Sequence, residues 1–162
     1  MHPSTGREIM VEWWQVKPST DLVGMASQKS WDFLDASKRH YDDAVLLQAN
    51  ACLPNAAQLF GLSAECGVKA LSEKIQNQPL PSNYYKHANV LVNLLPKLFH
   101  GRLGATYLAR IGLFKSFSSW DIEDRYRSVA QIPLAKHMAD WVAASKEVQD
   151  MLTQAYIDGV LP

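Results

Sequence analysis

An all-α fold, an antiparallel bundle of four to five main helices, is predicted for this 162-residue chain, and three observations predict it. Residues 54–74, PNAAQLFGLSAECGVKALSEK, open on a proline, which loses no needed hydrogen bond in the first turn of a helix, and no further proline follows until Pro79. Within that stretch Ala56, Leu59, Phe60, Ser63, Cys66, Val68, Ala70 and Leu71 fall near the three- and four-residue steps of one broad helical face. The composition, 48% hydrophobic and 20% charged, suits one globular domain able to build a core.

The central helix carries little bulk at Ala56, Ala57, Gly61, Ser63, Ala64, Cys66 and Gly67, which lets neighbouring helices come close. Gly61 and Gly67 each cost about 1 kcal/mol of helix propensity relative to alanine, so tertiary packing must hold this helix. The rest of the chain is expected to cover it.

Residues 1–26 form an N-terminal extension broken by Pro3, Gly6, Pro18 and Gly24, with Trp13 and Trp14 expected to pack on the bundle rather than to act as a stacking platform. The helical domain occupies 27–162. Its first helix is predicted over 30–50, capped by Ser30, with Asp32 and Asp35 near the positive end of the dipole. Trp31, Leu34, Tyr41, Ala44, Val45 and Gln48 trace its inward side, while Lys38, Arg39, Asp42 and Asp43 face solvent and pair locally. His40 beside Arg39 does not make a catalytic pair, because adjacent helical residues diverge by about 100°.

Pro79 and Pro81 mark 76–85 as a loop that returns the chain for a third helix over 87–99, burying Val90, Leu91, Leu94, Leu95 and Leu98 and bent or divided by Pro96. A fourth helix over 103–113 would bury Leu103, Tyr107 and Ile111, with Phe114 following. Residues 115–127, KSFSSWDIEDRYR, are the least helical part of the core and the densest in recognition-type side chains, and a loop held between rigid helices is a favoured place for a site. Pro133 opens a final helix that stops near Gly159.

Sixteen basic and sixteen acidic residues cancel, which removes the whole-molecule attraction of a nonspecific nucleic-acid binder, so any polyanion site must be local. Residues 97–127 hold such a bias, with six basic side chains against three acidic ones. Arg125 and Arg127 are shaped for bidentate phosphate contact and Trp120 or Tyr126 for stacking on a base. The structural alternative pairs Arg125 with Asp121 or Glu123 and uses Trp120 to plug the bundle end. Glu65 and Lys69 stand four apart in the order that favours an ion pair; among small residues they are candidates for a buried polar cluster with each other, His87 or Arg125.

Cys52 and Cys66 are too few for a disulfide scaffold and read as reduced thiols. No metal-binding spacing, phosphate-cradling glycine loop or nucleophile motif occurs, so no metal or cofactor is implied. No apolar run reaches the roughly eighteen residues needed to span a bilayer, and a cytoplasmic protein is expected.

The tyrosine-bearing SKRHYDDAVLLQAN, then NAAQLFGLSAECGVKAL, KHANVLVNLL and WDIEDRYR, together resemble the small all-helical HEPN domains (higher eukaryotes and prokaryotes nucleotide-binding) over residues 30–142. That family contains dimeric RNase toxins and non-catalytic members that bind nucleotides or partner proteins. Its catalytic hallmark, an arginine followed four to six residues later by histidine, is missing: Arg39 meets Ala44, Val45 and Leu46; Arg102 meets Tyr107, Leu108 and Ala109; and Arg127 meets Ile132, Pro133 and Leu134. The resemblance therefore implies a non-catalytic binding module that engages a protein partner or nucleotide, in bacterial defence or a toxin–antitoxin-like system, with Glu65, Lys69, His87, Trp120, Arg125, Tyr126 and Arg127 as site residues. The alternatives are a divergent, metal-independent RNase using His87 or His137 with Arg125 or Arg127, and a self-associating structural subunit. A homodimer is expected from the resemblance and from apolar surface at Trp141, Met151, Leu152 and Tyr156.

Overall fold

Pro54 sits in the first turn of a helix that runs from Leu53 to Gln76 and ends where Asn77 turns left-handed at φ 50°. In the computed structural model, which describes residues 31–162, the order is α1 (Phe33–Ala49), α2 (Leu53–Gln76), α3 (Ala88–Leu91), α4 (Leu95–Leu98), α5 (Gly101–Leu108) and α6 (Leu134–Ile157). Short 3-10 turns lie at Ser82–Tyr84, Gly112–Ser119, Ile122–Tyr126 and Val129–Gln131. The described residues contain no strand. Asp32–Pro162 make up one compact unit; Trp13, Trp14 and the rest of the 1–26 extension lie outside the described residues.

α2 is the axis of this unit and is covered on every side, not on one broad face: nearly every residue from 56 to 72 is buried, including Gln58, Glu65 and Lys69. Its glycines mark where neighbours come closest. A Cβ on Gly61 would run into the Trp120 indole, and one on Gly67 would lie 2.5 Å from Val148 Cγ1.

Ser37 stands against Ser63, Tyr41 against Phe60, and Ala44 in one cluster with Ala56, so rising numbers on α1 meet falling numbers on α2 and the two form an antiparallel hairpin. α6 meets α2 in the same direction instead. Met138 and Val142 pack on the Ala56–Phe60 cluster, and Val148 and Leu152 lie at Gly67.

The hydroxyls of Ser37 and Ser63 each donate to the other's backbone carbonyl at 2.9 Å, and the Gln149 amide on α6 donates to both hydroxyl oxygens at 2.9 and 3.0 Å. The hydroxyls of Ser37 and Ser63 are both satisfied in this way, and the clamp joins all three helices.

Several expectations are corrected. Asp32, not Ser30, caps α1, accepting from Asp35 N at 2.9 Å. Trp31 precedes the helix. The inward side of α1 is Leu34, Ser37, Tyr41 and Ala44; Val45 lies to one side of that line and is 45% exposed, and Gln48, which continues the line into the last turn of the helix, is exposed. The third helix is two single turns, with Pro96 in the first turn of α4; Leu91, Leu95 and Leu98 are buried, but Val90 faces solvent. α5 ends at Leu108, short of the predicted 113, and Leu103 is exposed while Tyr107, Ile111 and Phe114 are buried.

Trp141, Met151 and Leu152 are buried within the bundle, so of the surface expected to serve a second copy only Tyr156 is exposed. The Trp141 indole donates to Ser116 O at 3.2 Å and Glu147 accepts from Leu113 N at 2.7 Å, which fastens the 3-10 segment to α6. At the far end Tyr107 donates to Asp158 Oδ2 at 2.7 Å. Burial, helped by that bond, pushes the Tyr107 phenol up to about 12, and the same bond holds the Asp158 carboxyl below its usual range.

Candidate functional site

Glu65 and Lys69 lie one turn apart on the buried axis, and burial forces them to satisfy each other. Lys69 Nζ donates to Glu65 Oε1 at 2.7 Å, with the two side chains 5% and 8% exposed. The ammonium also sits 5.4 Å from the centroid of the Phe33 ring, which offers its π face to the remaining charge. Phe33 in turn packs on Tyr85 at 6.0 Å, so the start of α1 and the loop after α2 roof the pair.

The second carboxylate oxygen, Oε2, receives His87 Nδ1 at 3.0 Å. A carboxylate oxygen accepts here, so Nδ1 is the donor in this contact, and Nε2 has no hydrogen-bond partner among the described residues. The ring is half exposed and stands edge-on to Trp120, centroids 6.4 Å apart. His87 is held there by its place at the N-terminal boundary of α3, in extended backbone at ψ 163°. The structure therefore brings Glu65, Lys69, His87 and Trp120 together: a buried ion pair, an oriented imidazole at the surface and an indole beside it.

Trp120 is 1% exposed, with its Nε1 donating to Ala57 O at 3.0 Å. It is a wedge in the core and not a stacking platform, which corrects the base-stacking expectation. The next residues make the following turn: Asp121 caps Ile122–Tyr126 by accepting from Glu123 N, and its backbone carbonyl accepts from Gln58 Nε2 at 3.0 Å.

The arginines divide. Arg127, not Arg125, makes the pinning ion pairs, 2.7 Å to the buried Asp124 and 3.3 Å to Asp121. Arg125 reaches neither an acid nor Glu65 among the described residues; its guanidinium lies 4.7 Å from the centroid of Tyr126, a ring 72% exposed. Arg125 and Tyr126 are thus presented outward, while Arg127 spends its charge internally.

His87 and His137 do not share a setting, since His137 stacks on Trp141 at 5.6 Å. His40 is half buried on α1, and burial, then the charge of Arg39, lowers its pKa, with Asp43 and Glu65 acting in the opposite sense. Phe33 and Tyr85, which roof the ion pair, carried no spacing signal in the sequence, because they reach it from the flanks of two different elements. Among the described residues no group of three or more His, Cys, Asp or Glu side chains is arranged to hold a metal ion, and no helix is long and apolar enough to cross a membrane.

Cys66, beside this cluster, is buried, and burial pushes its thiol up to about 12, whereas Cys52 is exposed. Treating the native protein with iodoacetamide at pH 8 is expected to label Cys52 and leave Cys66 unmodified by peptide mass mapping, with both labelled in denaturant.

No family model matches the chain, and neither the curated proteins nor the solved structures contain a match.

Proposed function

We propose that the chain is a HEPN-like, non-catalytic binding module that engages a protein partner through the outward face of Arg125 and Tyr126. The observation that carries this reading is the Arg125–Tyr126 stack itself, a guanidinium without an acidic partner among the described residues lying over a ring 72% exposed. Tyrosine and arginine are the side chains on which partner binding most often concentrates, because each offers apolar area and directed hydrogen bonds together. Val129, 63% exposed a few residues on, adds apolar surface to the same segment. Phosphate recognition is less well supported, since Arg127 is neutralised by Asp121 and Asp124 and Glu123 is exposed beside Arg125. A homodimer and a cytoplasmic setting belong to this reading.

A second reading, a metal-independent RNase, is favoured by one observation: the buried Glu65 holds the Nδ1 side of the half-exposed His87 ring and so orients an imidazole at the surface. Both readings are tested together. A photo-crosslinking residue at position 126 is expected to give a discrete protein adduct in cells that Arg125→Ala removes, with the thermal midpoint of Arg125→Ala within about 2 °C of wild type. Single-stranded RNA is expected to be neither bound nor cut. Salt-sensitive RNA or nucleotide binding abolished by Arg125→Ala would replace the protein partner with a nucleotide, and RNA cleavage lost in His87→Ala would establish the RNase.

A further inference from the structure

Between Glu73 and Asp121 the sequence holds no aspartate or glutamate, while Lys74, Lys86, Lys97, Arg102, Arg110 and Lys115 fall in that span. A chain that is neutral as a whole is therefore divided: this stretch carries six positive charges, and the remainder is negative by the same amount. All six side chains are exposed, and none makes an ion pair among the described residues. Most cations elsewhere in the unit are answered: Arg39 by Asp35, Lys69 by Glu65, Arg127 by Asp121 and Asp124, Lys146 by Asp150.

The fold gathers Lys97, Arg102 and Arg110 at one end. The Leu98 carbonyl accepts from Ser72 Oγ at 3.0 Å and from Gln76 Nε2 at 2.8 Å, which sets α4 on the last turns of α2. Gly104 lies against the Phe99 backbone, and Tyr107 reaches Asp158 at the close of α6, so α5 sits where both long helices end. The Arg125 face is at the opposite end, since the turn that carries it is held to Gln58, near the start of α2.

With Gly104 and Tyr107 inward, α5 and the turn after it present Arg102, Leu103, Thr106 and Arg110 to solvent. Leu103 is 47% exposed, and Leu113, just beyond, is 43% exposed. Helix stability does not explain these arginines. Lys74 closes α2, where the dipole favours a cation, but Arg102 stands in the first turn of α5, where it disfavours one. The Asp158 carboxylate, near enough to feel Arg110, is bound instead to Tyr107 and Gln154, each at 2.7 Å.

We infer that this face docks an acidic, leucine-containing peptide segment of a partner protein, with carboxylates on Arg102 and Arg110, a leucine on Leu103, and Lys97 extending the positive field. It is a second surface, independent of the Arg125 face. Charge complementarity selects the sign of the partner, and the exposed leucines select its mixed character. A single-stranded nucleic acid would want an aromatic platform, and the rings of this region, Phe99 and Tyr107, are buried. A bilayer interface would want a broad apolar face, whereas α5 turns one leucine and no ring to solvent. Arg102 and Arg110 stand on the order of 12 Å apart along the helix direction, which four residues of extended peptide span at about 3.3 Å each.

The test is a titration of the full chain at pH 7 with the acetylated peptide Glu-Gln-Leu-Gln-Glu-Gln-Leu-Gln-Glu, its glutamine-for-glutamate analogue, a uridylate decamer and phosphatidylserine vesicles, read by backbone amide shifts and affinity. The acidic peptide is expected to saturate, to shift residues 97–113, and to weaken several-fold as sodium chloride rises from about 50 to about 300 mM. Arg102→Gln/Arg110→Gln is expected to lose about tenfold in affinity, with a thermal midpoint within about 2 °C of wild type because neither side chain has an internal partner. Leu103→Ser is expected to lose a few-fold. Lys38→Gln/Lys136→Gln, which removes the same charge from α1 and α6, is expected to change affinity less than about twofold. Tighter binding of the uridylate or the vesicles, equal binding of the uncharged analogue, shifts mapping elsewhere, or equal losses in the two double variants would overturn the inference.

Discussion

Replacing Glu65 with alanine is expected to lower the free energy of unfolding by about 3–5 kcal/mol, because it strands the Lys69 ammonium in a site 4% exposed with only the Phe33 ring for company. The pair itself need not be a source of net stability. Removing two charges from water costs several kcal/mol per ion, and their attraction does little more than offset it. The expected signature is therefore an asymmetry. Glu65→Ala is severe, and Lys69→Met is milder, because His87 still donates to the remaining carboxylate. Glu65→Leu/Lys69→Met recovers much of the loss by exchanging a satisfied ion pair for apolar packing. Urea denaturation of the four proteins, with the denaturant dependence unchanged, is the measurement. If Glu65→Ala lost no more than an exposed helix pair, a few tenths of a kcal/mol, the buried cluster would not exist in solution.

α2 was legible because its signals are local: a proline where a helix tolerates one, then no breaker before Pro79. Its glycines also announced a close approach, but not of what, since the indole at Gly61 arrives from 59 residues on and Val148 at Gly67 from 81. The Glu65–Lys69 spacing is likewise local, and His87 joined it at the predicted place. The sequence grouped Arg125 with Arg127 for phosphate and offered Arg125 alone as the pinning cation, whereas Arg127 makes the ion pairs, for a geometric reason. Residues 122–126 form a 3-10 turn, whose three-residue repeat puts Arg127 over Asp124 and turns Arg125 outward, whereas the four-residue step of an α-helix would place Arg125 beside Asp121. The Ser37–Ser63–Gln149 clamp was invisible because serine and glutamine have no preferred partner until three helices place them within 3 Å. In the irregular middle of the chain Pro96 opens α4 and Gly101, at φ 80°, opens α5, so neither α3 nor α4 can run on into the next helix.

Trp120→Ala is expected to cost about 3–5 kcal/mol, the range for emptying a fully buried aromatic site, since the indole is 1% exposed and its N–H bond to Ala57 O is lost with it. What distinguishes this wedge from any other buried aromatic is its contact with Gly61, where no Cβ fits beside the ring. Gly61→Ala in the wild-type background should destabilise by about 1–3 kcal/mol, because the ring is boxed by α2 and by His87 and can yield only by straining its surroundings. That strain outweighs the roughly 1 kcal/mol of helix propensity that alanine supplies. With Trp120 already alanine, the same Gly61→Ala change should reverse sign, adding a methyl to a void and stiffening the helix at once. A double-mutant cycle by chemical denaturation then reads a coupling of about 2 kcal/mol or more between positions 61 and 120. A Gly61→Ala effect equal in both backgrounds would mean that the indole does not sit on this glycine, and the edge contact between Trp120 and His87, which sets one wall of the candidate site, would fall with it.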